Sequence, residues 1–365
     1  MRVRTFPFMS NNLLFSFLRT ALWGQKGRLP QLAEKDGTEV LNEAEKQTVT
    51  ALVLDAMDKC GVKLPSEVVL SYFSCSAQVE QGNRRLNAAV KALDSLFTKN
   101  GVDYAVVKGQ VVASLYPNPL LRQSGDVDFY CDHDNFDRAR EVIGHEWSVA
   151  FDDSDSDKHL DFDYNGVTFE MHFSLTSFYN KRKNDYWGQL LSEDKGTEVI
   201  IEGQPIKTLS PMLHTLYVFL HLYHHLMELG VGLRQFCDLA VMLHAYKEDI
   251  DHDTLKLHLK TLGMEKAFRA CGSVLVNQLG LPVEKFPYVI TDKDRRNGNK
   301  ILDVVFYRGN MGHYNKKNGF NGWKHNLEST GIKISHFLKF MSLAPDYSCR
   351  WLSYELGRKI LIKLK

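Results

Sequence analysis

The sequence is poor in cysteine, has almost no net charge and contains no long apolar run. Its six cysteines are scattered and none forms a C-x-x-C pair, so neither a zinc cluster nor a redox dithiol is indicated. The 45 Lys and Arg against 44 Asp and Glu leave a formal charge of +1, which excludes a scaffold that binds nucleic acid through bulk charge. No stretch of about 18 uninterrupted apolar residues predicts a membrane-spanning helix. These absences predict a cytoplasmic protein with reduced cysteines.

The composition that remains is that of a globular protein, with 44% hydrophobic and 24% charged residues. A length of 365 residues corresponds to about two domains. Helical periodicity dominates both ends of the chain, and short β-like runs occupy its middle. We therefore predict an α+β fold, a small mixed sheet flanked by helices. Its predicted regions are a helical region at 1–100, an α/β core at 101–209 and a helical region at 210–365.

Local patterns predict the elements of the core and of the region before it. We expect helices at Asn42–Lys59 and at Pro65–Lys99, the second ending at Asn100-Gly101, a common helix stop. Asn165-Gly166 predicts a tight hairpin turn between two strands. The predicted core strands are Tyr104–Val107, Val127–Cys131, Trp147–Phe151, His159–Tyr164 and Val167–Phe173.

The sharpest local feature is Gly125-Asp126-Val127-Asp128, where a turn enters a predicted strand. Residues two apart on a strand point to the same face, so Asp126 and Asp128 can converge on one hard cation. Mg²⁺ prefers oxygen ligands and commonly takes one or two carboxylates together with nucleotide phosphates. A solvated pair of carboxylates is the ordinary alternative, because a D-x-D pair alone is common.

Two other segments add groups of related chemistry. Lys108 and Gly109 follow an apolar strand and open a helix, where free backbone N–H groups can bind phosphate oxygens. Glu170 and His172 share one face of another predicted strand. Two strands thus supply three acids near a phosphate-binding turn, an arrangement that can hold two metal ions for phosphoryl or nucleotidyl transfer. The alternative is that these are ordinary solvated side chains at strand ends.

Three parts of this sequence together resemble the signature of one known family. They are Val107-Lys108-Gly109 with Leu115-Tyr116-Pro117, Arg122 and Gly125-Asp126-Val127-Asp128-Phe129; Glu170-Met171-His172; and His224-His225 with Gly232 to Leu239. The family is the uncharacterised nucleotidyltransferase family of the polymerase-β-like nucleotidyltransferase superfamily. There the first part forms the strand, turn, helix and strand of the active site. The resemblance covers most of the chain from about residue 10 and implies a polymerase-β-like core.

The resemblance also implies an activity and the residues that carry it. The activity is Mg²⁺-dependent transfer of a nucleoside monophosphate from an NTP to a hydroxyl acceptor, with release of pyrophosphate and with Mn²⁺ as an alternative metal. Catalytic and metal-binding roles are implied for Asp126, Asp128 and Glu170. Nucleotide-binding roles are implied for Lys108, Gly109, Arg122 and Gly125. A place on the acceptor side of the cleft is implied for His172, His225, Arg234 and Asp238.

Several alternatives stay open at the level of sequence. The protein could be a nucleotide-binding regulator without turnover, or a toxin-like enzyme that modifies RNA, which would need a local basic face. The NTP, the number of subunits and the acceptor, whether a small molecule, sugar, protein or RNA, are not encoded in a readable motif. His221 and His225 stand four residues apart on a predicted helix, but H-E-x-x-H is absent, which disfavours zinc. The basic stretch 350–365 is predicted to pack on the helical region, with contact to a membrane surface as the alternative.

Overall fold

A computed structural model of the protein describes residues 8–25, 34–151, 159–178, 180–228, 230–310 and 323–348. The basic stretch 350–365 lies outside the described residues. The element order confirms the predicted α+β class, because helices precede and follow a small mixed sheet. In the described ranges, no helix combines the length and the apolar character needed to cross a membrane.

The helices before the sheet are α1 (Phe8–Trp23), α2 (Glu34–Lys46), α3 (Thr50–Lys59) and α4 (Ser66–Asn100). The elements of the middle region are β1 (Ala105–Val107), α5 (Gly109–Ala113), β2 (Asp126–Tyr130), α6 (His133–Glu146), β3 (His159–Tyr164), β4 (Val167–His172), α7 (Lys181–Glu193), β5 (Thr197–Ile201) and β6 (Gln204–Thr208). The helices that follow are α8 (Pro211–Glu228), α9 (Leu233–Ala245), α10 (His252–Leu262), α11 (Glu265–Asn277), α12 (Asp292–Arg308) and α13 (Trp323–Phe340).

The larger sheet has the strand order β1-β2-β4-β3, in which β2 and β4 are parallel and the other pairs are antiparallel. Asp126 is the register partner of Thr168, and Asp128 is the register partner of Glu170. Because register partners point to the same face, these side chains form one polar face of the sheet. The opposite face is apolar, and α4 and α6 cover it with buried side chains such as Phe97 and Ile143.

A second hydrophobic core joins α1, α2 and α3 to the helices that follow the sheet. Polar contacts tie the same parts together, since the Gln47 side chain donates to the carbonyl of Val305 and accepts from the backbone N–H of Leu233. The Trp23 indole donates to the carbonyl of Leu279. The helices at the two ends of the chain therefore pack together beside the sheet. The division into three regions stays a prediction.

Several predicted elements are confirmed with small shifts of their ends. Helix α4 spans nearly the predicted range and ends at Gly101, whose φ of 61° is the left-handed conformation that glycine favours. The turn at Asn165-Gly166 is present, with φ values of 49° and 70° that suit a tight hairpin turn.

Two predicted elements are wrong. The single helix Asn42–Lys59 is two helices, α2 and α3, separated by a turn in which Thr48 has a φ of 55°. The run Trp147–Phe151 is irregular rather than a strand. Its aromatic side chains instead pack against the rings of β3, with Trp147 stacked on Tyr164 and Phe151 edge-on to Phe162. Aromatic packing thus holds this segment without strand pairing.

Candidate active site

Asp128 lies at the centre of the polar face, in the middle of β2. Its side chain is only 4% exposed, and its Oδ1 atom lies 2.5 Å from Lys108 Nζ and 2.9 Å from His172 Nε2. Burial alone would raise the pKa of Asp128, but the positive charge of Lys108 and the hydrogen bond with His172 outweigh it, so this pKa is lowered. Asp128 is therefore ionised and held between two nitrogen donors.

Glu170 and His172 extend this cluster along β4. His172 Nε2 lies 3.5 Å from Glu170 Oε2, and Glu170 remains 28% exposed. One ligand atom each from Asp128, Glu170 and His172 lies within 4.8 Å of the others. Burial would lower the pKa of His172, but its hydrogen bonds with Asp128 and Glu170 raise it. The two carboxylates suit a divalent metal such as Mg²⁺ or Mn²⁺, and the imidazole contacts an oxygen of each.

Asp126 lies on the same face, two residues before Asp128 on β2, but it is not part of the group of three ligand atoms within 4.8 Å. Burial and the negative charge of Asp128 raise its pKa to about 6, and Glu170 adds to that repulsion. Lys108 and Arg234 act in the opposite direction without offsetting it. Burial is the largest of these effects, and a bound divalent cation would favour the ionised form of Asp126.

Lys108 is held in a strained backbone turn beside these carboxylates. Its φ of 55° and ψ of −134° are rare for a residue with a side chain. Its backbone N–H donates to Nε2 of His214 at 2.9 Å, and its ammonium lies 5.7 Å from the ring centroid of Tyr217. A Cβ on the next residue, Gly109, would lie 3.5 Å from the Asp126 carbonyl oxygen, so the turn runs close to β2. Strain retained next to buried charges is typical of functional sites.

Helix α8 directs a polar stripe toward this turn. His214, Tyr217, His221 and His225 follow one another at intervals of three and four residues and share one face. The Nε2 atoms of His221 and His225 are 2.9 Å apart. Burial lowers the pKa of His225 to about 3 and that of His221 well below its usual value, so both imidazoles are neutral. The contacts of His214 and Tyr217 with Lys108 were not predicted from the sequence, although polar residues at helical spacing in an apolar helix could have indicated them.

Two of the predicted residues, Arg122 and Asp238, form a buried ion pair with each other. Arg122 donates from Nε and Nη2 to the two oxygens of Asp238, at 2.7 and 2.8 Å. The Tyr116 hydroxyl also donates to Asp238 at 2.7 Å. Burial would raise the pKa of Asp238, but Arg122 lowers it. This pair connects the segment before β2 to α9, and the predicted contacts of both residues with substrate stay predictions.

Arg234 is the cation next to Asp126 that lacks a carboxylate partner in the described part of the chain. Its Nη1 donates to the carbonyl of Gln123 at 2.8 Å, whereas its buried Nε has no hydrogen-bond partner there. Burial and the neighbouring charge of Arg122 lower its pKa. Gly125, between Gln123 and Asp126, is exposed and has open space around it. Arg234 thus has free donor capacity beside an open segment.

Comparison with known proteins identifies the family of the chain. A family described as an uncharacterised nucleotidyltransferase matches residues 33–279. None of the curated proteins matches the chain. The crystal structure of an antigenic nucleotidyltransferase-like protein from Paracoccidioides brasiliensis is similar at 18% identity and a TM-score of 0.34, over 52% of this chain and 91% of that chain.

Proposed function

Since the chain belongs to the uncharacterised nucleotidyltransferase family, we propose that it transfers a nucleoside monophosphate from an NTP to a hydroxyl acceptor and releases pyrophosphate. The proposal includes a dependence on Mg²⁺ or Mn²⁺. The observation that carries it is the acidic face of the sheet, where Asp128 and Glu170 are register partners on parallel strands and Asp126 points the same way. This face has the carboxylate donors that a divalent metal requires.

The carboxylates and the nearby histidines have different roles in this proposal. Asp126, Asp128 and Glu170 would hold the metal, which would neutralise phosphate charge and lower the pKa of the acceptor hydroxyl. His172 orients Asp128 and Glu170, because its Nε2 lies within 3.5 Å of an oxygen of each. The neutral His225, on α8, would line the acceptor side.

Phosphate recognition falls to Arg234, Lys108 and the backbone around Gly109 and Gly125. Arg234 supports this role because it is half-buried, charged and without a carboxylate partner in the ranges described. Hydrogen bonds from a guanidinium to phosphate are charge-assisted and therefore strong. Lys108 would exchange its contact with Asp128 for one with the triphosphate. Arg122, predicted to act directly on the nucleotide, would act through the position of the segment that leads into β2.

The proposal is tested by identifying the acceptor that receives label from an NTP. The protein is incubated with each of the four α-labelled NTPs, with Mg²⁺ or Mn²⁺, beside fractions of a cell extract that supply acceptors. We expect label from one NTP to enter an acceptor in a metal-dependent way while pyrophosphate accumulates. The matched control is Asp128→Asn. Labelling that persists in EDTA, or in that variant, would contradict the proposal.

A nucleotide-binding regulator without turnover is the second candidate. The observation in its favour is the 2.5 Å contact between Lys108 and Asp128, because a cation supplied by the chain already occupies a proposed metal ligand. The same experiment separates the two functions. A regulator would bind one labelled NTP with a measurable dissociation constant and would release no pyrophosphate with any acceptor fraction.

A further inference from the structure

A cavity of about 500 Å³ lies outside the site described above, between α11, α12 and the segment after α13. None of the residues proposed for nucleotidyl transfer lines it. Its lining is Lys266, Arg269, Thr291, Lys293, Asp294, Arg296, Asn297, Lys300, Ser342 and Leu343. Half of these side chains are cationic, and only Asp294 is acidic.

The carboxylate of Asp294, the one acidic residue among those that line the cavity, already has partners within the chain. Asp294 pairs with Arg269 at 2.8 Å, and its carboxylate also accepts from the backbone N–H and the hydroxyl of Thr291. These contacts close the capping box at the start of α12. The charge of Asp294 is therefore matched by Arg269, and it does not neutralise the other cations of the cavity.

Four cations remain: Lys266, Lys293, Arg296 and Lys300. None of them has an ion-pair partner among the residues that the structure describes. They give the cavity a local charge of about +4, whereas the whole chain carries a formal charge of +1. Like charges on one concave surface repel each other. Because a cleft focuses their electric field, it attracts ions of the opposite charge. The arrangement is suited to an anion.

The packing of the two helices creates this arrangement. On α12, residues 293, 296, 297 and 300 have the spacing i, i+3, i+4 and i+7, which places them on one face of the helix. On the side toward α11, a Cβ at Gly298 would lie 2.9 Å from the Ser273 hydroxyl and 3.1 Å from the Ala270 carbonyl, so glycine permits close packing there. Close packing brings Lys266 and Arg269 of α11 beside this face of α12.

We propose that this cavity binds a compact ligand that carries two or more phosphate groups. Its volume lies in the range of small-molecule sites, which is roughly 300–1,000 Å³. Among the residues that the structure describes, no aromatic ring lines it, so these residues do not provide stacking on a nucleobase. Lysine and arginine side chains supplied by two helices around one cavity match a ligand with several phosphates held close together. The ligand site is separate from the proposed site of nucleotidyl transfer.

The test uses inorganic tripolyphosphate as the probe, titrated calorimetrically into the full chain at about 0.15 M salt. EDTA and the background variant Arg234→Gln suppress binding at the candidate active site. The cavity variant is Arg296→Gln/Lys300→Gln, and the matched control is Lys63→Gln/Lys195→Gln, which removes two exposed charges elsewhere. The cavity variant removes two charge-assisted contacts, so it should lose about tenfold or more in affinity. The control should change by less than about twofold.

Three results would overturn the proposal. One is the absence of tripolyphosphate binding to the parent chain under these conditions. Another is an equal loss of affinity in the cavity variant and the control. The third is tighter binding of a single-stranded RNA oligonucleotide that depends on Arg296 and Lys300, because the occupant would then be a nucleic-acid backbone. Circular dichroism of both variants shows whether the fold is intact, and all four substituted side chains are exposed.

Discussion

Lys108 combines three properties that rarely occur together in one residue. It has a strained backbone, a buried ammonium in contact with Asp128, and a backbone N–H that donates to a buried histidine. Asp128, Tyr217 and Glu170 keep the pKa of Lys108 raised, although burial acts to lower it. The ammonium therefore serves as the counter-ion of Asp128, in the place where the proposed function requires a metal.

The first prediction concerns competition between this ammonium and a divalent metal. Lys108→Met removes the competing cation, so Mn²⁺ should bind about tenfold more tightly, as measured by calorimetry or by the Mn²⁺ paramagnetic resonance signal. The same substitution should lower the free energy of unfolding by about 3 kcal/mol, because Asp128 loses one of its two donors.

Lys195→Met is the matched control, since Lys195 is exposed and far from the carboxylates in the sequence. Its Mn²⁺ affinity should equal that of the parent. Unchanged or weaker Mn²⁺ binding in Lys108→Met would show that Lys108 does not occupy the metal position.

At the scale of elements, the site depends on how the segment before β2 is fixed to α9. Arg122 and Asp238 are separated by 116 residues in sequence, yet they form a buried two-bond ion pair. A buried ion pair of this kind contributes little net stability when both partners are present, but removing one partner leaves an uncompensated charge. The pair therefore positions Asp126 and Asp128 relative to the helices after the sheet.

A double-mutant cycle tests this connection. Arg122→Met alone should lower the free energy of unfolding by about 3–5 kcal/mol, because Asp238 is left buried and charged. Arg122→Met/Asp238→Leu should be less unstable than the sum of the two single variants, with a coupling of about 1–3 kcal/mol in urea unfolding. Additive effects would mean that the two side chains do not interact in solution.

The sequence allows prediction of those elements whose signals are local. The stop of α4 at Asn100-Gly101, the turn at Asn165-Gly166 and the pairing of acids on β2 all depend on residues close in sequence. The break at Thr48 depends on contacts of Gln47 with Val305 and Leu233, which no local pattern reveals. The pairing of Arg122 with Asp238 was not predicted for the same reason, because the two residues are distant in sequence. The acidic residues were found because strand alternation fixes their face, whereas the contacts of Asp128 with Lys108 and His172 depend on how the neighbouring strands pair.

At the scale of the whole molecule, burial of neutral histidines should make the fold sensitive to acid. Burial lowers the pKa of His214 to about 3, with the charge of Lys108 adding to the effect. The pKa of an unfolded histidine is about 6.5, so the unfolded chain binds one more proton than the fold between these values. The contribution of His214 to stability is therefore complete above about pH 6.5 and is lost as the pH falls.

The variant His214→Gln isolates this contribution, because glutamine places an amide near the position of Nε2. The dependence of the unfolding free energy on pH, measured in urea between about pH 4 and pH 6, should become shallower by about 1.4 kcal/mol per pH unit. His145→Gln is the control, since the His145 side chain is 87% exposed, and it should leave the slope unchanged. An equal slope in the parent and in His214→Gln would show that His214 is protonated in the fold.

The central claim is that the acidic face of β2 and β4 carries out nucleotidyl transfer, and the position of the label in the NTP tests it most directly. The parent chain and Asp126→Asn are incubated in parallel with the reactive NTP labelled at the α- or at the γ-phosphate, with Mg²⁺ and the acceptor fraction. We expect the parent to transfer the α-label to the acceptor and to release the γ-label as pyrophosphate. Asp126→Asn should lose about a hundredfold or more of this rate while remaining folded, because an amide lacks the charge that holds the metal. Transfer of the γ-label to the acceptor, or equal rates for the two proteins, would show that this face does not carry out nucleotidyl transfer.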